Sequence, residues 1–238
     1  AIKGHGQEVI VAGDIGCYSL GLLPTGFSVE KTLHCMGAGL GVANGFGNLK
    51  RFGLNKPVIA ISGDSTFYHA CLPALINAKW NQANILYVIL DNNTTAMTGH
   101  QPHPGTGVTG MQNPSERILV EKVAGVCGVK YVKVVDPFKI KETEAILKEA
   151  LQQSGPSVLV FRSPCVLMVV RERRRKGARF VVCRINEKCT DCMACIKMLG
   201  CPAIIVEEGK ARINEALCAG CGLCVTVCPY KAIKCVKL

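Results

Sequence analysis

The sequence has 238 residues, with 28 lysines and arginines against 17 aspartates and glutamates, a formal net charge of +11, and 15 cysteines. Hydrophobic residues make up 49% and charged residues 19%, which excludes a chain disordered throughout and allows one or two domains with a buried core. The uncharged run at residues 32–49 holds five glycines and two asparagines, so it does not read as a membrane span, and no secretory signal is recognised.

Strands and helices alternate along the front of the chain. The predicted strands are residues 8–12, 57–62, 85–90, 130–134 and 157–161. The predicted helices are residues 37–50, 71–81, 114–127 and 137–153. Asn113 and Asp136 each precede a proline at the first position of a helix, a pairing typical of helix starts. This alternation predicts an α/β fold with a parallel sheet covered on both faces.

Small residues and oxygen-bearing side chains follow the first three strands, in loops at residues 13–17, 63–66 and 91–95. Ligands of parallel sheets bind beyond the carboxyl ends of the strands, where small residues let backbone N–H groups approach phosphate oxygens. Asp64 and Asn92 end neighbouring strands and supply the hard oxygen atoms that suit Mg²⁺. The sequence therefore predicts a site for a phosphate and Mg²⁺ at this edge.

The spacing of these residues resembles the GDG-x(24–27)-NN signature of thiamine diphosphate enzymes. Gly63-Asp64-Ser65 is followed, after 26 residues, by Asn92-Asn93, with a serine in place of the third glycine. The resemblance implies that Asp64, the Asn92 side chain and the Thr94 carbonyl bind Mg²⁺.

The segment from His34 to Gly41 resembles the part of these enzymes whose glycines touch the diphosphate. By that resemblance Met36 props thiamine into its bent conformer, and ordinary core packing is the alternative for this side chain. The residues expected to contact the cofactor are Gly16, Cys17, Met36, Gly37, Ala38, Gly63, Ser65 and Thr66.

Nine of the 15 cysteines lie in the last 50 residues, and eight of them form two runs, each closed by Cys-Pro. The first run comprises Cys189, Cys192, Cys195 and Cys201. The second comprises Cys218, Cys221, Cys224 and Cys228. The second run has the C-x2-C-x2-C-x3-C-P spacing of bacterial [4Fe–4S] proteins, and the first is two residues longer before its last cysteine.

In two-cluster ferredoxins the fourth cysteine of each run binds the other cluster. On that pattern Cys228 completes the cluster of the first run, and Cys201 completes that of the second. Zinc and a disulfide framework are the alternatives, but zinc does not need this number of cysteines and disulfides fit poorly without a secretory signal. Cys235 is unassigned and is expected to be a core thiol.

Three segments and the order of the cysteine runs resemble the alpha subunits of indolepyruvate ferredoxin oxidoreductases, in the 2-oxoacid ferredoxin oxidoreductase family. The segments are residues 13–21 (GDIGCYSLG), 63–77 (GDSTFYHACLPALIN) and 90–105 (LDNNTTAMTGHQPHPG). We expect a parallel-sheet thiamine diphosphate-binding domain at 1–166, a basic linker at 167–181, and a small α+β ferredoxin-like domain with two [4Fe–4S] clusters at 182–238.

Two histidines lead the candidates for a catalytic role. His100 and His103 flank Pro102 in the long loop after the third strand, and His100 replaces a glycine common in related oxidoreductases. They are candidate acid–base groups, with a structural or capping role as the alternative.

The predicted linker carries six basic residues and one acidic residue. It is expected to pair with an acidic ferredoxin or a partner subunit, or else to be a solvated linker. Nucleic-acid binding is not expected, since no aromatic residues are interleaved with the arginines.

The resemblance implies oxidative decarboxylation of arylpyruvates, such as indolepyruvate, to the aryl-acetyl-CoA and CO₂, with electrons passing through two [4Fe–4S] clusters to ferredoxin. The alternatives are the same chemistry on pyruvate, 2-oxoglutarate or branched-chain oxo acids, and a non-catalytic ferredoxin-type electron-transfer subunit.

Such enzymes also need a domain that brings a glutamate to the aminopyrimidine, and no stretch here resembles it. We therefore expect the C-terminal part of a longer subunit, or one chain of a split enzyme, that is inactive alone. The expected partners are the chain or segment with the pyrimidine domain, a beta subunit, ferredoxin, the 2-oxoacid and coenzyme A. A cytoplasmic hetero-oligomer without membrane contact is expected.

Overall fold

The structure, a computed structural model, describes residues 8–178 and 181–237. Two compact units divide the chain between Cys165 and Val166. The stretch predicted as a basic linker is largely helical, because α-helix Val166–Arg175 occupies most of it. Residues 1–7, 179–180 and 238 of the predicted domains lie outside the described residues.

A five-stranded parallel sheet forms the first unit. Its strands are β1 (Ile10–Ala12), β2 (Val58–Gly63), β3 (Leu86–Asp91), β4 (Tyr131–Val135) and β5 (Ser157–Arg162). They lie in the order β1-β2-β3-β5-β4, and every neighbouring pair is parallel. All five predicted strands are present with small shifts at their ends, so the predicted α/β class is confirmed.

Among the described residues, five α-helices accompany this sheet. They are α1 (Ala38–Asn48), α2 (Asp64–Thr66), α3 (Leu72–Trp80), α4 (Val120–Val126) and α5 (Ile140–Leu151). The π-helical turn Phe67–Cys71 joins α2 to α3, so this helix starts directly after β2 and not at residue 71 as predicted. Short 3-10 turns occupy Cys17–Leu22, Pro24–Gly26 and Leu49–Phe52.

The prediction of a helix from residue 114 was wrong, because α4 begins only at Val120. The backbone N–H of Ser115 donates to the Gly107 carbonyl, and that of Ile118 donates to the Pro104 carbonyl, each at 3.0 Å. These bonds hold the segment extended along the preceding loop. The N–H groups of this segment therefore hold the loop in place. In a helix they would instead have donated to carbonyls of the same helix.

Helices cover both faces of the sheet. On one face α1, α3 and α4 contribute Leu40, Leu75 and Ala124 to a core that includes the buried Tyr87 of β3. On the other face α5 packs Leu147 against a cluster formed by β2, β3 and β5. Two-sided burial explains why the central strands read as continuous apolar runs.

The second unit is small and α+β. Strand β6 (Val181–Ile185) pairs antiparallel with β9 (Ile233–Lys237), and β7 (Ile204–Glu207) forms a hairpin with β8 (Lys210–Ile213). Its helices are α6 (Val166–Arg175), α7 (Ala194–Met198) and α8 (Leu223–Val227). Because α7 and α8 each begin inside a cysteine run, the internal repeat is visible in the structure. Within the described part of the chain, no helix is long and apolar enough to cross a bilayer.

Cys183 and Cys235 face each other across β6 and β9 and form a disulfide. Cys183 is buried, whereas Cys235 is exposed. The expectation of a buried free thiol at Cys235 was therefore wrong. These two cysteines are the ones in this unit that lie outside the two ferredoxin-like runs.

Candidate functional site

A cavity of about 420 Å³ opens where β1, β2 and β3 end. Its walls include most of the residues predicted to bind thiamine diphosphate and Mg²⁺. These are Gly16, Cys17, Met36, Gly63, Asp64, Ser65, Thr66, Asn92 and Thr94. Sequence positions spread over 79 residues thus meet at one edge of the sheet, as the rule for parallel sheets predicts.

Asp64 is a buried acidic group at this edge, with only 2% of the residue exposed. Its Oδ1 accepts the N–H of Ser65 at 2.9 Å. Its Oδ2 accepts the N–H of Asn93 at 2.8 Å and a bond from His103 Nε2 at 2.9 Å. These bonds fix the orientation of the carboxylate.

Asn92 and Thr94 add the other predicted oxygen ligands. The side-chain oxygen of Asn92 accepts the Thr94 N–H at 3.1 Å, a bond that orders the turn after β3. A carboxylate, an amide oxygen and a backbone carbonyl are donors of the kind that Mg²⁺ takes alongside phosphate oxygens. The donor set at this cavity therefore fits Mg²⁺ bound together with a diphosphate.

Tyr18 is a site residue that sequence reasoning missed, although it lies in the quoted segment 13–21. Its hydroxyl accepts the Gly63 N–H at 2.7 Å and donates to the Ile15 carbonyl at 3.2 Å. Burial, and next the charge of Asp14, raise the pKa of Tyr18, so the hydroxyl stays protonated. A Cβ at Gly16 would lie 2.3 Å from the Tyr18 ring, which explains why glycine is needed there.

The carboxylate of Asp14 lies at the N-terminal end of α1. The sequence analysis predicted phosphate contacts from Gly37 and Ala38 at this position. The Gly37 N–H donates to both carboxylate oxygens of Asp14, at 2.9 and 2.8 Å. Burial raises the pKa of Asp14. Gly37 and Ala38 are not among the described residues that line the cavity. Their contact with the diphosphate stays a prediction.

The two candidate catalytic histidines also lie outside the cavity lining, within the described residues. His103 is buried and stacks on Tyr68, with ring centroids 5.5 Å apart. His100 has a positive φ of 66°, and its buried Nδ1 has no hydrogen-bond partner among the described residues. An acid–base role for either histidine stays a prediction.

Arg117 holds the loop that carries both histidines. Its Nε donates to the Gly105 carbonyl and its Nη2 to Asn93 Oδ1, each at 2.7 Å. It therefore connects the end of the loop to the turn that follows β3. No motif in the sequence indicated this residue.

In the second unit, one cavity collects the three closely spaced cysteines of the first run and the last cysteine of the second. These are Cys189, Cys192, Cys195 and Cys228. Burial raises the pKa of Cys195, and the neighbouring Cys189 and Cys192 thiolates add to the effect. Cys228 Sγ accepts the Ala232 N–H at 3.3 Å, a bond typical of cluster ligands.

The other four cysteines also come together. Burial, and then the charges of Cys221, Cys218 and Cys201, raise the pKa of Cys224 to about 11. Both sets therefore combine three cysteines of one run with the last cysteine of the other. Crowded thiolates of this kind fit a positively charged iron core that compensates their mutual repulsion.

No three His, Cys, Asp or Glu side chains in the described ranges converge on the position of a single metal ion.

Comparison with known proteins gives two family matches. Residues 14–161 match the family described as "Thiamine pyrophosphate enzyme, C-terminal TPP binding domain". Residues 211–234 match the "4Fe-4S binding domain" family. The expectation of thiamine diphosphate and [4Fe–4S] cofactors is therefore confirmed, while Mg²⁺ stays a prediction.

The chain is similar to indolepyruvate oxidoreductase subunit IorA of two archaea. It is 43% identical to the subunit of Archaeoglobus fulgidus over 97% of this chain and 36% of that protein. It is 46% identical to the subunit of Pyrococcus abyssi over 99% of this chain and 38% of that protein. The chain therefore spans well under half the length of these curated relatives. The predicted resemblance is confirmed.

Among solved structures, the chain resembles a 2-oxoglutarate:ferredoxin oxidoreductase from Magnetococcus marinus with 2-oxoglutarate, coenzyme A and succinyl-CoA bound. The TM-score is 0.58 at 19% identity, over 66% of this chain and 54% of that chain. This likeness supports the fold.

Proposed function

Because the chain belongs to the thiamine pyrophosphate enzymes, through their C-terminal TPP-binding domain, we propose that it is part of an oxidoreductase that oxidatively decarboxylates arylpyruvates such as indolepyruvate. One observation carries the proposal. A single chain combines a cavity with Mg²⁺-type oxygen donors and two sets of four cysteines.

Thiamine diphosphate, when bound, supplies the carbanion chemistry that decarboxylates 2-oxo acids. The chain's own residues would position it, with Asp64, Asn92 and the Thr94 carbonyl as the ligands of Mg²⁺. Met36 lines the same cavity and would support the bent form of the cofactor. Tyr18 fixes Gly63 and shapes the wall between them.

The eight cysteines would hold two [4Fe–4S] clusters, which would supply one-electron chemistry toward a ferredoxin. The arginines of α6 form a positively charged surface for an acidic electron carrier or a partner subunit. The activating glutamate and the coenzyme A site come from residues outside these 238 or from another subunit, in a cytoplasmic hetero-oligomer. We expect no activity from this chain by itself.

The character of the cavity favours an aryl substrate over 2-oxoglutarate. Apolar side chains form much of its wall, among them Ile15, Leu90 and Met97.

The test is an anaerobic assay of the assembled enzyme with its natural partner chains, measuring coenzyme A-dependent reduction of ferredoxin. Indolepyruvate should give a kcat/KM at least about tenfold above that of pyruvate or 2-oxoglutarate, a difference of about 1.4 kcal/mol. Asp64→Ala should abolish the activity. Equal rates with pyruvate would refute the substrate assignment, and no activity with any 2-oxo acid would favour a non-catalytic electron-transfer subunit.

A further inference from the structure

His103 lies in a setting that fixes which of its ring nitrogens carries hydrogen. Its side chain is 4% exposed. The Gly105 N–H donates to Nδ1 at 3.1 Å, so Nδ1 is an acceptor and holds no hydrogen. The hydrogen is therefore on Nε2, and Nε2–H donates to Asp64 Oδ2 at 2.9 Å.

The two oxygens of Asp64 are used unequally. Oδ2 receives two hydrogen bonds, from His103 and from the Asn93 N–H. Oδ1 receives one, from the Ser65 N–H, among the described residues. A carboxylate oxygen has two lone-pair positions, so Oδ2 is fully occupied whereas Oδ1 has one position left for a cation.

We propose that His103 is a positioning residue that holds Asp64 through Oδ2 and so presents Oδ1 to Mg²⁺. This inference rests on the proposed function, because it assigns the atom through which Asp64 binds the metal of the diphosphate. Hydrogen bonds to the far side of a metal ligand orient the ligand and raise metal affinity.

The burial of His103 distinguishes this role from acid–base catalysis. The ring is covered by Tyr68 on one face, and it is not among the described residues that line the cavity. Proton transfer to a substrate requires approach to about 3 Å, directly or through one water. His103 therefore acts through Asp64.

The test measures metal binding without turnover. The assembled enzyme is stripped of metal and cofactor with a chelator, thiamine diphosphate is added back, and Mn²⁺ is titrated while its free EPR signal is followed. His103→Leu should raise the Kd for Mn²⁺ by about 10- to 100-fold. His103→Gln can place an N–H near the position of Nε2, and its Kd should stay within about threefold of the wild type. Met111→Ala, a change at an exposed side chain of the same long loop, should leave metal affinity unchanged.

A double-mutant cycle separates positioning from a general structural role. If His103 acts only through Asp64, His103→Leu should add no further loss of Mn²⁺ affinity in the Asp64→Asn background. Equal Mn²⁺ affinity of wild type and His103→Leu, or a full additional loss in Asp64→Asn, would overturn the inference. A wild-type enzyme that binds no Mn²⁺ with thiamine diphosphate would instead refute the proposed function.

Circular dichroism and iron content show whether His103→Leu is folded. If it is not folded, the comparison of His103→Gln with His103→Asn tests the inference. The amide of asparagine reaches only the position of Nδ1, so it cannot replace the bond from Nε2 to Asp64. Gln should preserve Mn²⁺ affinity and Asn should lose it, and equal Kd values for the two would contradict the inference.

Discussion

Arg162, at the end of β5, holds two acidic side chains beside the cavity edge. Its Nε donates to Asp91 Oδ2 at 2.7 Å, and its Nη1 and Nη2 donate to the two oxygens of Glu121 at 3.1 and 2.6 Å. Asp91 is 5% exposed and directly precedes Asn92, whereas the Glu121 side chain is 24% exposed. Removing Arg162 therefore leaves a buried carboxylate, Asp91, and a partly exposed one, Glu121, without their cationic partner.

We predict that Arg162→Leu lowers the free energy of unfolding of the first unit by about 3–5 kcal/mol at pH 7. Most of this loss comes from Asp91, because breaking a buried pair leaves an uncompensated charge. The more exposed Glu121 pair should contribute about 1 kcal/mol or less. The loss is large against a typical total stability of about 5–15 kcal/mol.

The deficit should depend on pH. Burial raises the pKa of Asp91 even in the wild type, and the Arg162 hydrogen bond opposes the rise. Without Arg162 the folded-state pKa rises further above the unfolded value, so the loss is full at neutral pH and shrinks as Asp91 protonates on acidification. The Glu121 pair changes the deficit in the same direction. Because Arg162 lowers the pKa of Glu121, the stability that this pair gives the wild type is present at neutral pH and is lost as the pH falls through the pKa of the folded state.

Hydrogen exchange at the amides of β3 and β5 measures this free energy in the first unit alone. Asp91→Asn combined with Arg162→Leu should recover most of the loss, since no buried charge is then left unpaired. Lys133→Leu breaks an exposed pair with Glu149 and should cost under about 1 kcal/mol. An Arg162→Leu deficit below about 1 kcal/mol, or one that is equal at pH 7 and pH 5, would refute the reasoning.

Three further predictions concern single side chains. Tyr18→Phe leaves the Gly63 N–H without its acceptor and should destabilise the first unit by about 1–3 kcal/mol in hydrogen exchange, and no change would contradict the bond. Burial, and then the charge of Asp14, raise the pKa of Glu30 to about 7. The free energy of unfolding of the wild type should therefore fall by up to about 3 kcal/mol as the pH rises from the ordinary pKa of a glutamate to 7. Glu30→Gln should flatten that pH profile, and an unchanged profile would refute the assignment. Cys228→Ser should remove one cluster from the iron count, whereas Cys235→Ser should retain both, and equal iron losses would contradict the ligand sets.

Much of the fold follows from the sequence, because buried parallel strands must be apolar along their length and are bounded by polar turns. All five strands of the first sheet were predicted for that reason. The start of α4 was not, because Ser115 and Ile118 donate their N–H groups to the preceding loop. A cap and a proline predict local preference, and they carry no information about such distant partners.

The site residues could be predicted where metal or cluster binding requires a fixed spacing in the sequence. Residues whose role depends on a tertiary contact could not be predicted in this way. Asp64, Asn92 and the eight cysteines stand at spacings that metal and cluster binding require. Tyr18 and Arg117 were missed because their partners, Gly63 and Gly105, are backbone groups far away in sequence. Cys235 was misjudged because only the register of β9 against β6 reveals its pairing.

The central claim is that this one chain holds a thiamine diphosphate and two iron–sulfur clusters at separate sites. Anaerobic native mass spectrometry of the assembled enzyme tests it by counting both in one experiment. The account predicts one thiamine diphosphate and about eight irons per copy of the chain, with Asp64→Ala losing the thiamine diphosphate and keeping the irons. A wild-type complex with about four irons, or an Asp64→Ala complex that retains the cofactor fully, would contradict it.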